Sequence, residues 1–287
     1  MRIDFIHLHR KEWPVKVLCK VMKVCRSYYY QAIKVKQNQV YDNLEMIKKC
    51  LKELFNQNKQ IYGSRRLMKA LRDEGVKIGR YRVRKLMKLL EISVKQKLRY
   101  KNTTDSSHDL AICDNLLDRQ FQPEKPNQVW TTDITYIWTM QGWVYLAIVV
   151  DLFSRKIIGW SVQDHMRTSL CKDALLMAWW RRKPPDGVMH HSDRGSQYAS
   201  HEYRQLLTDF GMDQSMSRKG NCWDNSPTER VFRTLKSEWL NRFSFKTRDE
   251  AKAAVWDYVS FYNVDRIHST LGYVSPAQFE LKAQVSL

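Results

Sequence analysis

The sequence of 287 residues lacks an apolar run long enough to cross a lipid bilayer. Its most apolar stretch, WVYLAIVV at residues 143–150, falls far short of the roughly 20 residues that a membrane-spanning helix requires. The first residues, MRIDFIHLHRKEW, carry charges where a secretory signal peptide needs an apolar segment. We therefore expect a soluble, cytoplasmic protein without a membrane partner.

Paired cysteines are also missing. The six cysteines are scattered along the chain, and no two of them form a C-x-x-C pair. This pattern gives no support to a structural zinc site or to a disulfide framework, so we expect reduced thiols.

Acidic residues are scarce relative to basic ones. The chain has 49 Lys and Arg against 30 Asp and Glu, which gives a net charge of +19. Such an excess indicates a polyanionic partner, because phosphates attract the basic surface and release counterions on binding. Ribosomal and membrane-surface proteins share this property, so the charge alone does not identify the partner.

Residues 1–54 have the pattern of helices. Pro14 is suited to a helix start, the apolar residues that follow have helical spacing, and Ser27 is a candidate N-cap for a further helix. Helix, short turn and helix is the outline of a helix-turn-helix, although many helical pairs share it.

Residues 55–101 repeat this outline with far more positive charge. From Lys59 to Lys101 there are fifteen Lys or Arg and three acids. The first helix is predicted to end at the C-cap glycine Gly75. Four basic residues fall in the first turns of the second helix: Arg80, Arg82, Arg84 and Lys85. Because that part of a helix-turn-helix meets bases and phosphates, we favour DNA binding over a solvated basic face.

The pattern changes in the second half of the chain. Residues 102–127 lose periodicity and are predicted to be a linker. Residues 128–242 begin with three strands joined by tight turns, an antiparallel meander, and continue with strands alternating with helices. They predict a mixed α/β sheet with helices on its faces, followed by a helical tail at 243–287.

Three carboxylates in this region are candidate metal ligands. Asp133 lies within the first strand, Asp193 ends a later strand, and Glu229 lies in the first turn of a helix, with thirty-five residues between the last two. Mg²⁺ prefers such oxygen ligands, and two ions held together can assist displacement at a phosphate. Taken singly, each carboxylate is more typical of a capping or salt-bridged acid.

Five motifs together resemble the transposases of the bacterial insertion-sequence-3 family. The motifs are TTDITY, YLAIVVDLFSRKIIGW, HSDRGSQYAS, GNCWDNSPTERVFRTLKSE and FYNVDRIHSTLGYVSPAQF. The resemblance implies a catalytic core similar to that of retroviral integrases, with an RNase H-like fold. It also implies that Asp133, Asp193 and Glu229 are the catalytic DDE triad and bind two Mg²⁺ or Mn²⁺ ions.

The resemblance further implies contacts with DNA. Lys236 lies seven residues after Glu229, where the family has a basic residue that contacts the end of the element, and Arg233 shares that flank. Arg266 and His268 lie in the family's C-terminal motif and are expected to help bind DNA. His190 and His191 are expected to support the metal site or to face DNA.

These observations predict a bacterial DNA transposase that is associated with the nucleoid. It would bind the terminal inverted repeats of its element, cleave them to free a 3′-OH and join that end to target double-stranded DNA, as a homo-oligomer. The family often acts as a fusion with an upstream frame that carries a leucine zipper, and no such heptad run occurs here. Two alternatives are a metal-dependent nuclease without strand transfer and a catalytically silent DNA-binding regulator.

Overall fold

The computed structural model describes residues 1–94, 112–219 and 221–285. These residues form two compact units, one of residues 1–94 and one within residues 95–287. None of the helices in the described ranges combines the length and apolar character that a membrane span requires.

The N-terminal unit is built from helices only. Its five helices are α1 (Arg2–His9), α2 (Val15–Val21), α3 (Arg26–Gln57), α4 (Ser64–Asp73) and α5 (Arg80–Leu89). Ile6, Leu18, Cys19 and Tyr29 form a small core between α1, α2 and the start of α3. The predicted boundary after residue 54 falls within α3, so one continuous helix crosses it. The N-cap of α3 is Cys25, not Ser27.

The α4–α5 pair matches the predicted basic helical hairpin. Leu67 and Leu71 of α4 are buried, as are Val83 and Leu86 of α5, and the two helices pack against each other. Gly75 follows α4 with a φ of +81°, a left-handed conformation that glycine adopts without a steric penalty.

The second unit contains a five-stranded sheet and six α-helices within the described ranges. The elements in chain order are β1 (Val129–Thr139), β2 (Gly142–Asp151), β3 (Lys156–Gln163), α6 (Thr168–Arg182), β4 (Met189–Ser192), α7 (Ser196–Ala199), α8 (His201–Asp209), β5 (Asp213–Met216), α9 (Ser226–Glu238), α10 (Arg248–Val264) and α11 (Pro276–Val285).

The strands are arranged in the order β3-β2-β1-β4-β5. β1, β2 and β3 pair antiparallel, which confirms the predicted meander, whereas β4 pairs parallel with both β1 and β5. The sheet is therefore mixed, as the change of sequence pattern predicted.

Helices cover both faces of this sheet. Adjacent residues of a strand point to opposite faces. On β1, the Thr132 hydroxyl lies 3.2 Å from that of Tyr198 in α7, whereas Thr131 on the other face accepts a hydrogen bond from Thr228 in α9. The main core, on the Thr132 face, joins Trp130 of β1 to apolar residues of α6 and α8.

The segments on either side of the sheet belong to the same unit. Of the predicted linker, residues 102–111 lie outside the described ranges, whereas Leu117 is buried against Val129 and Leu152. The C-terminal tail is joined to the β1–β2 hairpin by a bridge between Thr139 and Phe245. Part of the predicted linker and the predicted tail thus pack on the sheet.

Candidate active site

The register of two parallel strands brings Asp133 and Asp193 together. β1 and β4 pair Thr131 with His191. Asp133 lies two residues after Thr131, and Asp193 lies two residues after His191. Because side chains two residues apart in extended chain share a face, both carboxylates are carried to the same side at the same level of the sheet.

The helix α9 is attached beside this pair at its first turn. Thr228 donates a hydrogen bond of 2.7 Å to Thr131, and Asn225, just before the helix, donates one of 3.0 Å to the carbonyl of Thr132. Both contacts are buried and involve the two residues of β1 that immediately precede Asp133. Glu229, the next residue after Thr228, is thereby held next to the two aspartates.

The three carboxylates are close enough to perturb one another. Burial raises the pKa of Asp133 well above its ordinary value, and the charges of Asp193 and Glu229 raise it further, against a hydrogen bond from the Ile134 amide. Burial also raises the pKa of Glu229, where Arg233 opposes the rise and Asp193 adds to it. The site therefore concentrates negative charge that its own residues do not fully compensate.

This donor set fits a hard divalent cation. Carboxylate oxygens are the ligands that Mg²⁺ prefers, and a cation would offset the burial and the repulsion that raise these pKa values. The buried side-chain oxygen of Asn225 also has no hydrogen-bond partner among the described residues. Within the same residues, no three His, Cys, Asp or Glu side chains are already gathered tightly enough to hold a metal.

Two basic residues of α9 lie on the side of the carboxylates. The Lys236 ammonium lies 4.4 Å from the centre of the Tyr136 ring. Burial lowers the pKa of Lys236, and the charge of Asp133 opposes that change. Arg233 is exposed and close enough to Glu229 to lower its pKa. Lys236 and Arg233 are therefore close to the charges of Asp133 and Glu229, respectively.

The two histidines that precede Asp193 lie inside the protein. His191 makes hydrogen bonds with the hydroxyls of Ser215 and Ser217, and His190 with that of Tyr203. Burial lowers the pKa of His190 to about 3 and that of His191 to about 4, so both are neutral at pH 7. The expectation that they face DNA does not fit this burial.

Arg266 and His268 are also placed differently from what we expected. Both are buried, and Arg266 donates two hydrogen bonds of 2.7 Å to the carboxylate of Glu238 at the end of α9. That this pair binds DNA stays a prediction, although the Arg266 charge is already satisfied by a buried carboxylate. A sequence motif does not reveal which of its charges face inward.

Asp224, just before α9, has a structural role in this unit. Its buried carboxylate accepts hydrogen bonds from Arg119, Asn115 and the side chain and amide of Arg218. The hydrogen bonds from Arg218, the largest effect, hold the pKa of Asp224 well below its usual range. This cluster fixes the chain just before α9. The position of Glu229, in the first turn of α9, depends on it.

The basic residues predicted to contact DNA in the N-terminal unit lie on the surface. Arg80, Arg82, Arg84 and Lys85 are all exposed on the first half of α5, opposite the buried side chains of Val83 and Leu86. Their positions leave them accessible to a polyanion.

Parts of the sequence match models of known protein families. Residues 123–222 and 229–283 match models of the integrase core domain, and residues 42–100 match a model of an HTH-like domain. The second unit is thus an integrase catalytic core with an RNase H-like fold, preceded by an HTH-like domain.

Relatives of nearly full length identify the family. The chain is 41% identical to the insertion element IS600 uncharacterized 31 kDa protein of Shigella sonnei, over 92% of this chain and 98% of the relative. It is 37% identical to the transposase InsF for insertion sequence IS3A of Escherichia coli strain K12, over 98% of this chain and 99% of the relative. The chain belongs to the IS3 family of insertion-sequence transposases.

More distant similarity extends to viral integrases of known structure. The HTLV-2 integrase catalytic core domain in complex with magnesium is 18% identical, with a TM-score of 0.44, and covers 55% of this chain and 98% of its own. A simian T-cell lymphotropic virus intasome in complex with PP2A regulatory subunit B56 gamma is 17% identical, with a TM-score of 0.48, and covers 80% and 74%.

Proposed function

We propose that this transposase cleaves the ends of its insertion sequence to free a 3′-OH and joins that end to target DNA, with Asp133, Asp193 and Glu229 as catalytic residues. The register that carries Asp133 and Asp193 to one level of the sheet, with Glu229 fixed beside them, is the observation that supports this most. The intact triad favours an active enzyme over a silent regulator.

The three carboxylates would hold two Mg²⁺ or Mn²⁺ ions. Bound there, the ions would supply the positive charge that activates the attacking oxygen and stabilises the leaving oxygen at a phosphate. The carboxylates themselves must be ionised to bind, which their mutual repulsion resists until the cations arrive. No covalent intermediate with the protein is needed, because water and then the freed 3′-OH serve as nucleophiles.

Basic residues of both units would bind the DNA. Lys236 and Arg233 flank the carboxylates and are suited to hold the phosphates around the scissile bond. Arg80, Arg82, Arg84 and Lys85 expose a charged helix start, which is the part of a helix-turn-helix that enters the major groove. The HTH-like domain would recognise each DNA end, and the integrase core would cut and join it. A homo-oligomer would pair the two ends, with or without a partner protein from the upstream frame.

The test is a cleavage and joining assay on the cognate ends. A labelled duplex that carries the inverted repeat from the DNA flanking this gene is incubated with the full chain, Mg²⁺ and a supercoiled target plasmid. We expect 3′-end cleavage and then transfer of the label to the plasmid. The variants Asp133→Asn, Asp193→Asn and Glu229→Gln should bind the duplex but give neither product.

The same assay separates the alternatives. A nuclease would release the end without labelling the plasmid, and a silent regulator would bind the duplex without cutting it. Substantial Mg²⁺-dependent cleavage by any of the three amide variants would reject the assignment of that residue. If only an extended protein with the upstream frame is active, the same variants are tested in that protein.

A further inference from the structure

An aromatic patch lies near the end of the β1–β2 hairpin, beyond Asp133 along β1 and on the other face of the sheet. It consists of Tyr136, Trp138 and Trp143, which we call the hairpin patch. Trp138 and Trp143 are directly opposite each other in the β1–β2 register, and Tyr136 lies two residues before Trp138. All three side chains therefore share one face of the hairpin.

This patch is exposed although its residues are strongly apolar. Trp138 is 58% and Trp143 40% exposed. Further along the same face, Ile134 and Tyr145 pack against the main core, so the patch begins where the helical layer stops covering the sheet. Because burial of aromatic surface is favourable, an uncovered patch of this kind indicates a surface that binds something.

The geometry of the rings leaves flat surfaces available. The centres of the Trp138 and Trp143 rings are 4.8 Å apart at an interplanar angle of 69°, and those of Tyr136 and Trp143 are 5.1 Å apart at 84°. In such edge-to-face contacts one ring meets the other with its rim, so part of the ring faces stays open for another planar group.

The patch is also held firmly at the end of the hairpin. The Met140 amide donates a hydrogen bond of 3.0 Å to the carbonyl of Phe245, and the Arg248 amide donates one of 3.0 Å to the Gln141 side chain. Thr139 donates to the Gly142 carbonyl across the turn. A surface fixed in advance loses little conformational freedom when a ligand binds.

The charge beside the patch points to an anionic ligand. The Lys236 ammonium lies over the Tyr136 ring, and the same side chain interacts with Asp133. Arg233 is exposed one turn earlier on α9. Flat apolar surface next to cations suits a nucleotide, which joins a planar base to a phosphate, better than it suits the apolar face of a protein.

We propose that Trp138 and Trp143 stack against an unpaired base of the DNA strand whose backbone passes Lys236. This inference rests on the proposed function for the presence of DNA at Asp133. Five residues of strand separate Asp133 from Trp138, a span of about 17 Å. At 3.4 Å per nucleotide this span corresponds to about five nucleotides, and the opposite facing of the two side chains adds to the path from the reacting phosphate to the stacked base. The enzyme would thus hold a few terminal nucleotides open rather than paired.

Binding of a simple single strand tests this without any cleavage. The probes are a fluorescein-labelled strand of ten thymidines and a strand of ten abasic residues with the same number of phosphates, each titrated in EDTA with the full chain. Charge contacts of both units affect the two probes alike. Stacking on aromatic side chains strengthens binding on the order of tenfold per base, so the wild type should prefer the thymidine strand.

Substitutions then locate the preference. Trp138→Ala should remove most of it while leaving affinity for the abasic strand unchanged, and Trp138→Phe should retain part of it. The matched control is Trp180→Ala, which removes another exposed tryptophan of the same unit, on α6, and should change neither affinity. Circular dichroism melting curves confirm that each variant is folded.

Several outcomes would overturn the proposal. These are a wild type that binds both probes equally, a Trp138→Ala variant that keeps its preference, and a Trp180→Ala variant that loses it as well. A Trp138→Ala variant that keeps its preference but dissociates into smaller species in sedimentation would identify the patch as a subunit interface instead. Because no metal or cleavage is involved, a preference lost in Trp138→Ala supports the stacking surface even if the strand-transfer assay fails.

Discussion

Arg266 and Glu238 form a buried ion pair in which two guanidinium nitrogens, Nε and Nη2, donate to the two carboxylate oxygens at 2.7 Å each. Glu238 is the last residue of α9, two positions after Lys236. The Tyr258 hydroxyl of α10 donates to the same carboxylate. The pair therefore attaches the end of the helix that carries Glu229 and Lys236 to the C-terminal part of the chain.

Loss of Arg266 should therefore destabilise the protein. Arg266→Ala leaves the Glu238 charge buried without its partner, which typically costs about 3–5 kcal/mol. We expect a lower urea midpoint for Arg266→Ala and partial recovery in the double variant with Glu238→Gln, which removes the isolated charge. Weaker DNA binding with unchanged stability would instead support the expectation that Arg266 contacts DNA.

The pH dependence of the free energy of unfolding should show the raised pKa of the buried Asp133 carboxylate. The pKa of Asp133 is raised in the folded protein, first by burial and then by Asp193 and Glu229, so folding favours its protonated form. Stability from this group is present at low pH and is lost as pH rises from the ordinary value of about 3.9 through the raised folded pKa.

Asp133→Asn removes the charge and should escape this loss. In EDTA, its melting temperature relative to the wild type should be higher at pH 8 than at pH 5. Asp213→Asn, which changes an exposed aspartate on β5, is the control and should show no such trend. Parallel curves for the wild type and Asp133→Asn would contradict the assigned environment of Asp133.

Mg²⁺ should stabilise the wild type and not the amide variants. A ligand at a hundred times its dissociation constant adds about 2.7 kcal/mol to the free energy of unfolding. We expect Mg²⁺ or Mn²⁺ to raise the melting temperature of the wild type, with little change for Asp133→Asn or Asp193→Asn. Equal stabilisation of all three proteins would show that the cation binds elsewhere.

The start of α5 should carry specific recognition of the element ends. Arg82→Ala or Arg84→Ala should weaken binding to the inverted repeat, and loss of a base contact should relax specificity by about 1–3 kcal/mol at one position. Lys88→Ala is the matched control, because it removes one exposed charge from the last turn of the same helix. Equal loss of specificity in all three variants would indicate a general charge effect.

Much of this arrangement could be predicted from the sequence because it depends on local pattern. The tight turns between strand-like segments identified β1 to β3, and the motif around each carboxylate identified Asp133, Asp193 and Glu229 as candidates. Long-range packing was not predictable in the same way. Nothing local to Arg266 shows that Glu238, 28 residues earlier, is its buried partner.

Burial of the two histidines was hidden for a similar reason. His190 and His191 lie on β4, a strand of only four residues, where alternation is too short to show that both neighbours are covered. The strand has a sheet partner on either side, and helices cover both faces of that sheet, so both imidazoles are enclosed. A basic-looking motif can thus contain neutral core residues.

Lys236 should position the DNA end more than it adds affinity. Its ammonium lies 4.4 Å from the centre of the Tyr136 ring and interacts with the charge of Asp133, so a phosphate bound by Lys236 would be close to the proposed reacting site. Lys236→Ala should slow cleavage of cognate ends strongly while binding changes little, because many other basic residues contribute to affinity. A displacement of about 1 Å at a reacting phosphate can lower the rate on the order of a hundredfold.

Two control variants separate the positioning of the DNA end by Lys236 from the effect of its charge. Lys236→Arg keeps the charge with a different geometry and should be partly active, whereas Lys252→Ala, which removes an exposed lysine of α10, should cleave like the wild type. A photocrosslinker at position 236 should react with the terminal few nucleotides of the element. If Lys236→Ala cleaved at the wild-type rate, or if crosslinks mapped only to internal DNA, Lys236 would have no role at the DNA end, and its contact with the Tyr136 ring would be purely structural.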